Sequence, residues 1–334
     1  MQRGADDAMM ANAESLTLMD AWIILVEGFP GCGKSTTAQW LARQFRAAGR
    51  PAEWFYEQQR PHPMAGETPT PPSSWQDYFA ARLARWSRLS QRVRSSGTVS
   101  ILESAWLQGP VFLMLHRDLD RGLIKAFILK TVEAMRGADP ALIYLSQPDP
   151  VGGMRRLFDR RGLSWGLAHA GHNDGLEFAR NRGVSGIDGL LEYWREHNAV
   201  CEAIVRESGM PTLTVDPRKG EWRERRAAIA RFLDLGAATE EPTLDQPELG
   251  RLVGEYRQGA RTFIVSVRDG ALELDGLLWP RNRLLPIAPG VFEAESWPRL
   301  LTFEDADGEV RAVRFEGPHV DYLQHCKGVY EKIR

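Results

Sequence analysis

One glycine-rich segment, Gly28–Ser35 (GFPGCGKS), constrains the fold of this 334-residue chain more than any other part of it. An apolar run with β-branched residues, Ala21–Glu27, precedes the segment and is typical of a buried strand. After it, residues 34–49 place apolar side chains at helical spacing. Glycines at three of the eight positions allow a tight backbone turn between these elements. The sequence therefore predicts a strand, a tight loop and a helix in direct succession.

Short apolar runs alternate with helical stretches as far as residue 235. Beyond the first strand, we predict further strands at residues 52–57, 98–103, 141–146 and 212–216. Regular alternation of strands and helices calls for a parallel sheet that is covered on both faces. The predicted fold class is α/β, with a five-stranded parallel sheet and helices on both sides.

The composition changes at residues 236–248, which are polar and contain proline. Beyond them the helical period disappears, and Asp269-Gly270 and Asp307-Gly308 separate strand-like segments as hairpin turns do. We therefore predict four regions: a disordered leader (1–18), the α/β domain (19–235), a linker (236–248) and a small antiparallel β domain (249–334). Recognition of a small molecule, dimer formation and binding of another protein remain open as roles of the β domain.

The glycine-rich segment also matches the Walker A pattern in full, between a strand and a helix as that motif requires. In such a loop, backbone N–H groups turn inward around a phosphate, and the helix N-terminus adds partial positive charge. We expect the Lys34 ammonium to reach the β- and γ-phosphates, the Ser35 hydroxyl to ligate Mg²⁺ and Thr36 to lie near the α-phosphate. The predicted cofactors are ATP or another nucleoside triphosphate and Mg²⁺, bound by Gly28, Pro30, Gly31, Cys32, Gly33, Lys34, Ser35 and Thr36.

Two carboxylates end neighbouring strands of the predicted sheet. Glu103 ends the third strand, where it can hold Mg²⁺ directly or through water. Glu57 ends the second strand and could accept the proton of an attacking hydroxyl. The alternative for each is a solvated glutamate without a role in chemistry.

A cluster of arginines follows the fourth strand. On a helix, Arg156 and Arg160 lie one turn apart on one face, with Arg155 nearby. Phosphoryl transfer needs cations over the oxygens of the migrating group, and a mobile lid commonly supplies them. We therefore predict that Arg156 and Arg160 act with Lys34 in catalysis and that Arg155 contacts the nucleotide. The alternative is an exposed helix in a chain with 36 arginines and six lysines.

These features in combination resemble the P-loop small-molecule kinases of the nucleoside and nucleotide kinase type. Deoxyribonucleoside kinases and thymidylate kinase are nearest, and the resemblance covers about residues 20–235. It implies a nucleotide-kinase-like P-loop NTPase fold and an ATP- and Mg²⁺-dependent phosphotransferase.

The resemblance also implies particular roles for the residues described above. Glu57 would be the acceptor-side base, Glu103 the acid of the family's Glu-Arg-Ser motif, and Arg156 and Arg160 the lid arginines. Ser104 departs from the family pattern, because it stands where that motif has arginine.

The composition excludes several classes of partner. A formal net charge of −2 gives no overall attraction to nucleic acid or to an anionic membrane. No apolar run approaches the ~18–20 residues that span a bilayer. The three separated cysteines offer no metal-site spacing and fit a reducing cytosol.

We therefore expect a cytoplasmic kinase whose partner is a small-molecule phosphoryl acceptor, such as a nucleoside, a sugar, an antibiotic or a similar metabolite. The alternative is an NTP-dependent switch or regulatory ATPase, whose lid and β domain engage a protein partner.

Overall fold

The computed structural model describes residues 21–65, 74–236, 246–278 and 280–333. The chain divides into two compact units, Met1–Glu57 with Pro63–Ala238 and Gln58–His62 with Thr239–Arg334. The predicted leader (1–18) and most of the predicted linker (236–248) lie outside the described residues. The last three positions of the predicted linker are helical, because a helix begins at Gln246.

The first unit alternates strands and helices. Its strands are β1 (Ile23–Gly28), β2 (Ala52–Phe55), β3 (Val99–Glu103), β4 (Ala141–Leu145) and β5 (Thr212–Val215). Its helices are α1 (Lys34–Ala47), α2 (Trp75–Ser96), α3 (Gln108–His116), α4 (Arg121–Met135), α5 (Pro150–Arg161), α6 (Leu163–Asp174), α7 (Glu177–Arg182), α8 (Gly186–Glu207) and α9 (Trp222–Phe232). None of the helices in the described part of the chain is long and apolar enough to cross a membrane.

The five strands form one parallel sheet in the order β2-β3-β1-β4-β5. The central strand β1 is buried along its whole length, as expected for a parallel strand covered on both faces. The predicted α/β class and the five-stranded parallel sheet are therefore confirmed. Because β1 is central, the loop that follows it opens at the middle of the sheet's carboxyl edge, where ligands of open α/β sheets bind.

Two hydrophobic clusters cover the two faces of this sheet. Ile24 and Val26 of β1 belong to one cluster, together with Leu41 and Phe45 of α1. Leu25, which points to the opposite face, belongs to a second cluster with residues of α2, α3, α4 and α8. Burial of each such side chain contributes about 1.5–3 kcal/mol. This packing fixes the first turn of α1 against the end of β1.

Helix α3 is an element that the helical periodicity of the sequence does not indicate. Its sequence, QGPVFLMLH, is apolar on almost every side, and Val111, Met114 and Leu115 are buried. A helix without a polar face has no amphipathic period to detect. β2 is also shorter than predicted, so Tyr56 and Glu57 follow the strand rather than end it.

The second unit contains helix α10 (Gln246–Leu252) and an eight-stranded antiparallel barrel. The barrel strands are β6 (Gly254–Gln258), β7 (Arg261–Arg268), β8 (Ala271–Asp275), β9 (Asn282–Ala288), β10 (Val291–Ala294), β11 (Leu300–Ala306), β12 (Glu309–Glu316) and β13 (Gly328–Lys332). Each strand pairs with its neighbours in sequence, and β13 pairs with β6 to close the barrel. The predicted antiparallel β domain is therefore confirmed.

Both predicted hairpin turns occur in this barrel. Asp269 and Gly270 join β7 to β8 with φ angles of 49° and 76°, and Asp307 and Gly308 join β11 to β12 with 55° and 81°. Positive φ at both positions is the geometry that Asp-Gly pairs favour in tight hairpins.

The segment Gln58–His62 belongs to the barrel unit, although it follows β2 in sequence. The backbones of Arg60 and His319 exchange two hydrogen bonds, of 2.7 and 3.0 Å, and Arg60 forms an ion pair with Asp321 at 3.4 Å. Both side chains of that ion pair are largely exposed, so the two backbone hydrogen bonds contribute more than the ion pair to holding Gln58–His62 in the barrel unit.

Candidate functional site

The glycine-rich loop runs from the end of β1 to the start of α1. Gly28, Gly31 and Gly33 all have positive φ angles, of 147°, 76° and 93°. A Cβ at Gly28 would overlap the carbonyl oxygen of Leu145 in β4. The glycines are therefore required by the backbone itself. Of the other predicted loop residues, Pro30, Cys32, Ser35 and Thr36 are half-buried.

Lys34 folds back over this loop at the first position of α1. Its Nζ donates a hydrogen bond to the Phe29 carbonyl oxygen at 3.0 Å, and only 7% of the residue is exposed. The Lys34 ammonium therefore lies against the glycine-rich loop and is hydrogen-bonded to one of the loop's carbonyl oxygens.

Ser35, Glu103 and Glu57 meet at the carboxyl edge of the sheet. Ser35 Oγ donates to Glu103 Oε1 at 3.0 Å, and the backbone N–H of Glu57 donates to the same oxygen at 3.4 Å. Glu103 is 1% exposed, and its Oε2 is buried without a hydrogen-bond partner among the described residues. The structure thus brings together the two predicted metal ligands and the predicted base.

The environment of Glu103 disfavours its charged form. Burial, followed by the nearby charge of Glu57, raises the pKa of Glu103 to about 8, although Lys34 and the Ser35 hydroxyl act in the opposite direction. An unpartnered carboxylate oxygen in such a place fits a divalent cation, because the positive charge of the cation would offset the cost of burying the ionised carboxylate.

Ser35 and Glu103 offer oxygen atoms, the donors that hard cations such as Mg²⁺ prefer. Mg²⁺ in phosphotransferase sites is commonly held by one or two carboxylates together with substrate phosphates, rather than by a protein cage. Within the described ranges, no group of three or more His, Cys, Asp or Glu residues could hold a metal by itself. Ser35 and Glu103 therefore fit the usual mode for this cation.

Glu27 is a residue of this site that the sequence-based analysis did not select. It is completely buried near the end of β1 and accepts backbone hydrogen bonds from Trp106 at 2.6 Å and Gln108 at 3.1 Å. Burial raises its pKa, and the hydrogen bonds from Gln108 and Trp106 oppose that effect. Glu27 thus fixes the loop after β3. A glutamate that closes an apolar strand was a usable signal, because such residues are rarely buried without partners.

Gln108 connects the carboxylates to the opposite side of the site. Its Nε2 donates to Glu57 Oε2 at 3.4 Å, and its carbonyl oxygen lies 3.3 Å from His197 Nε2. Because a carbonyl oxygen can only accept, Nε2 is the protonated nitrogen of His197. The remaining polar atom, Gln108 Oε1, is buried and has no partner in the described part of the chain.

A shallow crevice that opens to solvent lies beside Gln108. Its lining includes Phe29, Leu107, Tyr144, His197 and Asn198. Burial lowers the pKa of His197 to about 4, so the ring is neutral at pH 7. The lining residues include no Asp, Glu, Lys or Arg. The crevice is therefore an uncharged surface adjacent to a group of carboxylates.

The three predicted arginines of α5 occupy different environments. Arg160 Nη2 donates to the Gly31 carbonyl oxygen at 3.1 Å, so this side chain lies on the glycine-rich loop. Arg156 instead forms an ion pair at 3.6 Å with Asp149, the N-cap residue of α5, and both side chains are about half exposed. Arg155 is exposed to solvent. The structure thus brings Arg160 to the loop, and the roles of all three remain predictions.

Comparisons with known proteins give little further information. No protein-family model and no curated protein sequence matches this chain. Among solved structures, the chain is similar to the YorR protein of Bacillus subtilis, described as a crystal structure in complex with phosphorylated GDP. The two are 17% identical over 62% of this chain and 91% of that chain, with a TM-score of 0.32. At that TM-score the similarity carries no argument about fold or ligand.

Proposed function

We propose that the first unit binds a nucleoside triphosphate with Mg²⁺ and transfers its γ-phosphoryl group to a hydroxyl group of a small molecule. One observation carries this proposal. At the first turn of the helix that the Walker A loop opens, the Ser35 hydroxyl lies 3.0 Å from the buried Glu103 carboxylate, with Glu57 beside it.

The loop and the start of α1 supply the binding site for the phosphates. Backbone N–H groups and the partial positive charge of a helix N-terminus attract an anion. Lys34 exchanges its hydrogen bond to the Phe29 carbonyl for one to phosphate oxygens. Arg160, which donates to the Gly31 carbonyl oxygen, adds a second cation at the loop. These two cations stabilise the charge on the migrating group.

Ser35 and Glu103 would hold the magnesium ion. The ion would neutralise part of the phosphate charge and complete the coordination that the unpartnered Glu103 Oε2 lacks. Mg²⁺ would take the place of the proton that burial favours on Glu103, and the Ser35 hydroxyl would turn from Glu103 to the ion, so Mg²⁺ binding would release a proton.

In this proposal, Glu57 acts on the acceptor. Gln108, which lines the crevice, donates through Nε2 to Glu57 Oε2 at 3.4 Å, so this carboxylate lies beside a crevice-lining side chain. A base in this position accepts the proton of the attacking hydroxyl.

The substitution Lys34→Ala tests this proposal, with Lys130→Ala, an exposed lysine on α4, as the matched control. ATP affinity is measured by titration with Mg²⁺ present, and ADP release is measured with and without acceptors. We expect Lys34→Ala to lose turnover and most triphosphate affinity while its far-UV circular dichroism is unchanged, and Lys130→Ala to match the wild type. Wild-type affinity and turnover in Lys34→Ala would exclude this site. Acceptor-dependent ADP release separates a transferase from a nucleotide-dependent switch.

A further inference from the structure

One peptide group of the loop after β3 is held from both sides by buried side chains. The carbonyl oxygen of Ala105 accepts a hydrogen bond from Arg82 Nη2 of α2, and the N–H of Trp106 donates to Glu27 Oε1 of β1 at 2.6 Å. This C=O and this N–H belong to the same peptide unit, which is trans, so they point in opposite directions. Arg82 and Glu27 therefore form a clamp on this peptide group, the loop clamp.

Each side chain of the loop clamp makes a second backbone contact. Arg82 Nη1 donates to the carbonyl oxygen of Met64 at 3.4 Å, so one guanidinium joins the loop after β3 to the backbone at Met64. Glu27 Oε2 accepts the N–H of Gln108, the first residue of α3, at 3.1 Å. Arg82 is 9% exposed and Glu27 is completely buried, so these hydrogen bonds form in an interior where they are stronger than in water.

The backbone of Ser104, at the start of this loop, needs support from its surroundings. Its φ is 55°, in the left-handed region that residues with a Cβ rarely adopt, and such a conformation persists where neighbouring contacts determine it. The Ser104 hydroxyl does not supply that support, because it is buried without a partner among the described residues. Ser104 follows Glu103 directly, so the contacts that hold this backbone also determine where the Glu103 carboxyl group lies.

We infer that Arg82 and Glu27 are positioning residues for magnesium binding, because the loop clamp holds the backbone after β3 so that the Glu103 carboxyl group meets the Ser35 hydroxyl. This inference rests on the proposed function, in which Ser35 and Glu103 bind Mg²⁺. Neither Arg82 nor Glu27 forms a hydrogen bond with Ser35 or Glu103, so their influence passes through the loop backbone. Metal and catalytic sites tolerate displacements of only about 0.5 Å, so a loosened loop should impair ion binding.

Two substitutions weaken the loop clamp with little change in side-chain volume. In Arg82→Lys, the donors surround one nitrogen and do not span two carbonyls as a guanidinium fork does. In Glu27→Gln, one acceptor oxygen remains, and the NH₂ group would face the second backbone N–H. The matched control is Thr131→Val, which removes the 2.8 Å hydrogen bond from Trp106 Nε1 to Thr131 Oγ1. That variant loses a buried contact of the same loop without touching the clamped peptide group.

Hydrogen exchange resolved to single amides tests the loop clamp without nucleotide or Mg²⁺. In the wild type, the Trp106 and Gln108 amides should exchange at least ~100-fold more slowly than in an unfolded peptide, because a buried carboxyl group accepts both. Arg82→Lys and Glu27→Gln should each speed this exchange at least ~10-fold, and Thr131→Val by less than about three-fold. Rapid exchange in the wild type, which needs no variant to fold, or unchanged exchange in both folded variants would overturn the clamp.

Magnesium titration tests the positioning role. The Mg²⁺ concentration for half-maximal ATP binding should rise at least ~10-fold in Arg82→Lys and in Glu27→Gln, and ATP affinity in EDTA should fall by no more than about three-fold. Because both side chains act on one peptide group, the double variant should need at most about three-fold more Mg²⁺ than the worse single variant, rather than the product of both effects. Thr131→Val should keep the wild-type Mg²⁺ requirement.

The outcomes separate failure of this inference from failure of the proposed function. Faster loop exchange with an unchanged Mg²⁺ requirement would overturn the positioning role and leave Mg²⁺-dependent ATP binding standing. Multiplicative effects in the double variant, or an equal rise in Mg²⁺ requirement in Thr131→Val, would also overturn it. Wild-type protein that binds no ATP in the presence of Mg²⁺ would overturn the proposed function and the positioning role together, whatever the exchange rates.

Discussion

The substitution Glu103→Gln should stabilise the nucleotide-free protein while weakening its binding of Mg²⁺ and ATP. The pKa of Glu103 is raised from 4.5 to about 8 by burial and by the charge of Glu57. At pH 7 the unfolded chain would hold Glu103 ionised, whereas the folded chain holds it mostly protonated. Folding then binds a proton, so the free energy of unfolding falls as pH rises from about 4.5 to about 8.

The size of the effect follows from the same pKa values. At pH 7 the penalty from Glu103 is about 3 kcal/mol, and at pH 5 it falls below about 1 kcal/mol. Glutamine does not ionise and keeps an oxygen for the Ser35 hydroxyl, so the variant should escape most of this penalty. A stability gain at the expense of ligand binding is common at functional sites.

Urea denaturation at pH 5, 6, 7 and 8 without nucleotide or Mg²⁺ measures this effect. Nine of the eleven tryptophans precede residue 237, so tryptophan fluorescence reports mainly on the first unit. The control is Glu133→Gln, which removes an exposed ion pair with Arg136 and should change stability by less than ~1 kcal/mol. The reasoning is refuted if Glu103→Gln is less stable than the wild type at pH 7, or if its gain does not shrink towards pH 5.

Three further predictions concern the loop, the base and a buried histidine. A Cβ at Gly31 would lie 2.8 Å from Arg160 Nη2. Gly49 has the same φ of 76° but open space around it, so it serves as the control. Titration should therefore show at least ~10-fold weaker ATP binding in Gly31→Ala and no change in Gly49→Ala. Glu57→Gln should leave ATP affinity nearly unchanged and lower acceptor phosphorylation by ~10²–10⁴-fold in steady-state assays, and the reverse pattern would exclude Glu57 as the base. Burial and neighbouring charges lower the pKa of His116 to about 3, so the folded protein keeps this ring neutral below pH 6.5, where the unfolded chain protonates it. The free energy of unfolding therefore falls as pH falls below 6.5. Denaturation curves should show that His116→Phe loses about 2 kcal/mol less of this free energy than the wild type between pH 7 and pH 5.

The sequence alone was sufficient to predict the sheet and the loop. An apolar run, a glycine-rich turn and a helical period stand in direct succession, and each is a local pattern. The meeting of Ser35, Glu103 and Glu57 also follows from the sequence, because the carboxyl ends of parallel strands share one edge of the sheet. The roles of these residues remain predictions.

The rest of the candidate site depends on long-range packing. Gln108 begins α3, whose apolar faces conceal its period, and its environment is set by Glu27 in β1 and by His197 in α8. No local pattern relates positions so far apart in sequence. Helical spacing likewise could not separate Arg160 from Arg156, because the path of α5 over the loop decides which of them reaches Gly31.

The central claim, transfer of a γ-phosphoryl group from the Lys34 site, is tested most directly by following the label of γ-³²P-ATP. Wild-type protein is incubated with Mg²⁺ and glucosamine or glucose, and the label is traced among ATP, inorganic phosphate and an organic phosphate product. We expect the label in an acceptor phosphate that forms only with the acceptor present and that is absent with Lys34→Ala. Label that remains in ATP or appears only as inorganic phosphate whichever acceptor is supplied, or equal product from Lys34→Ala, would contradict the claim.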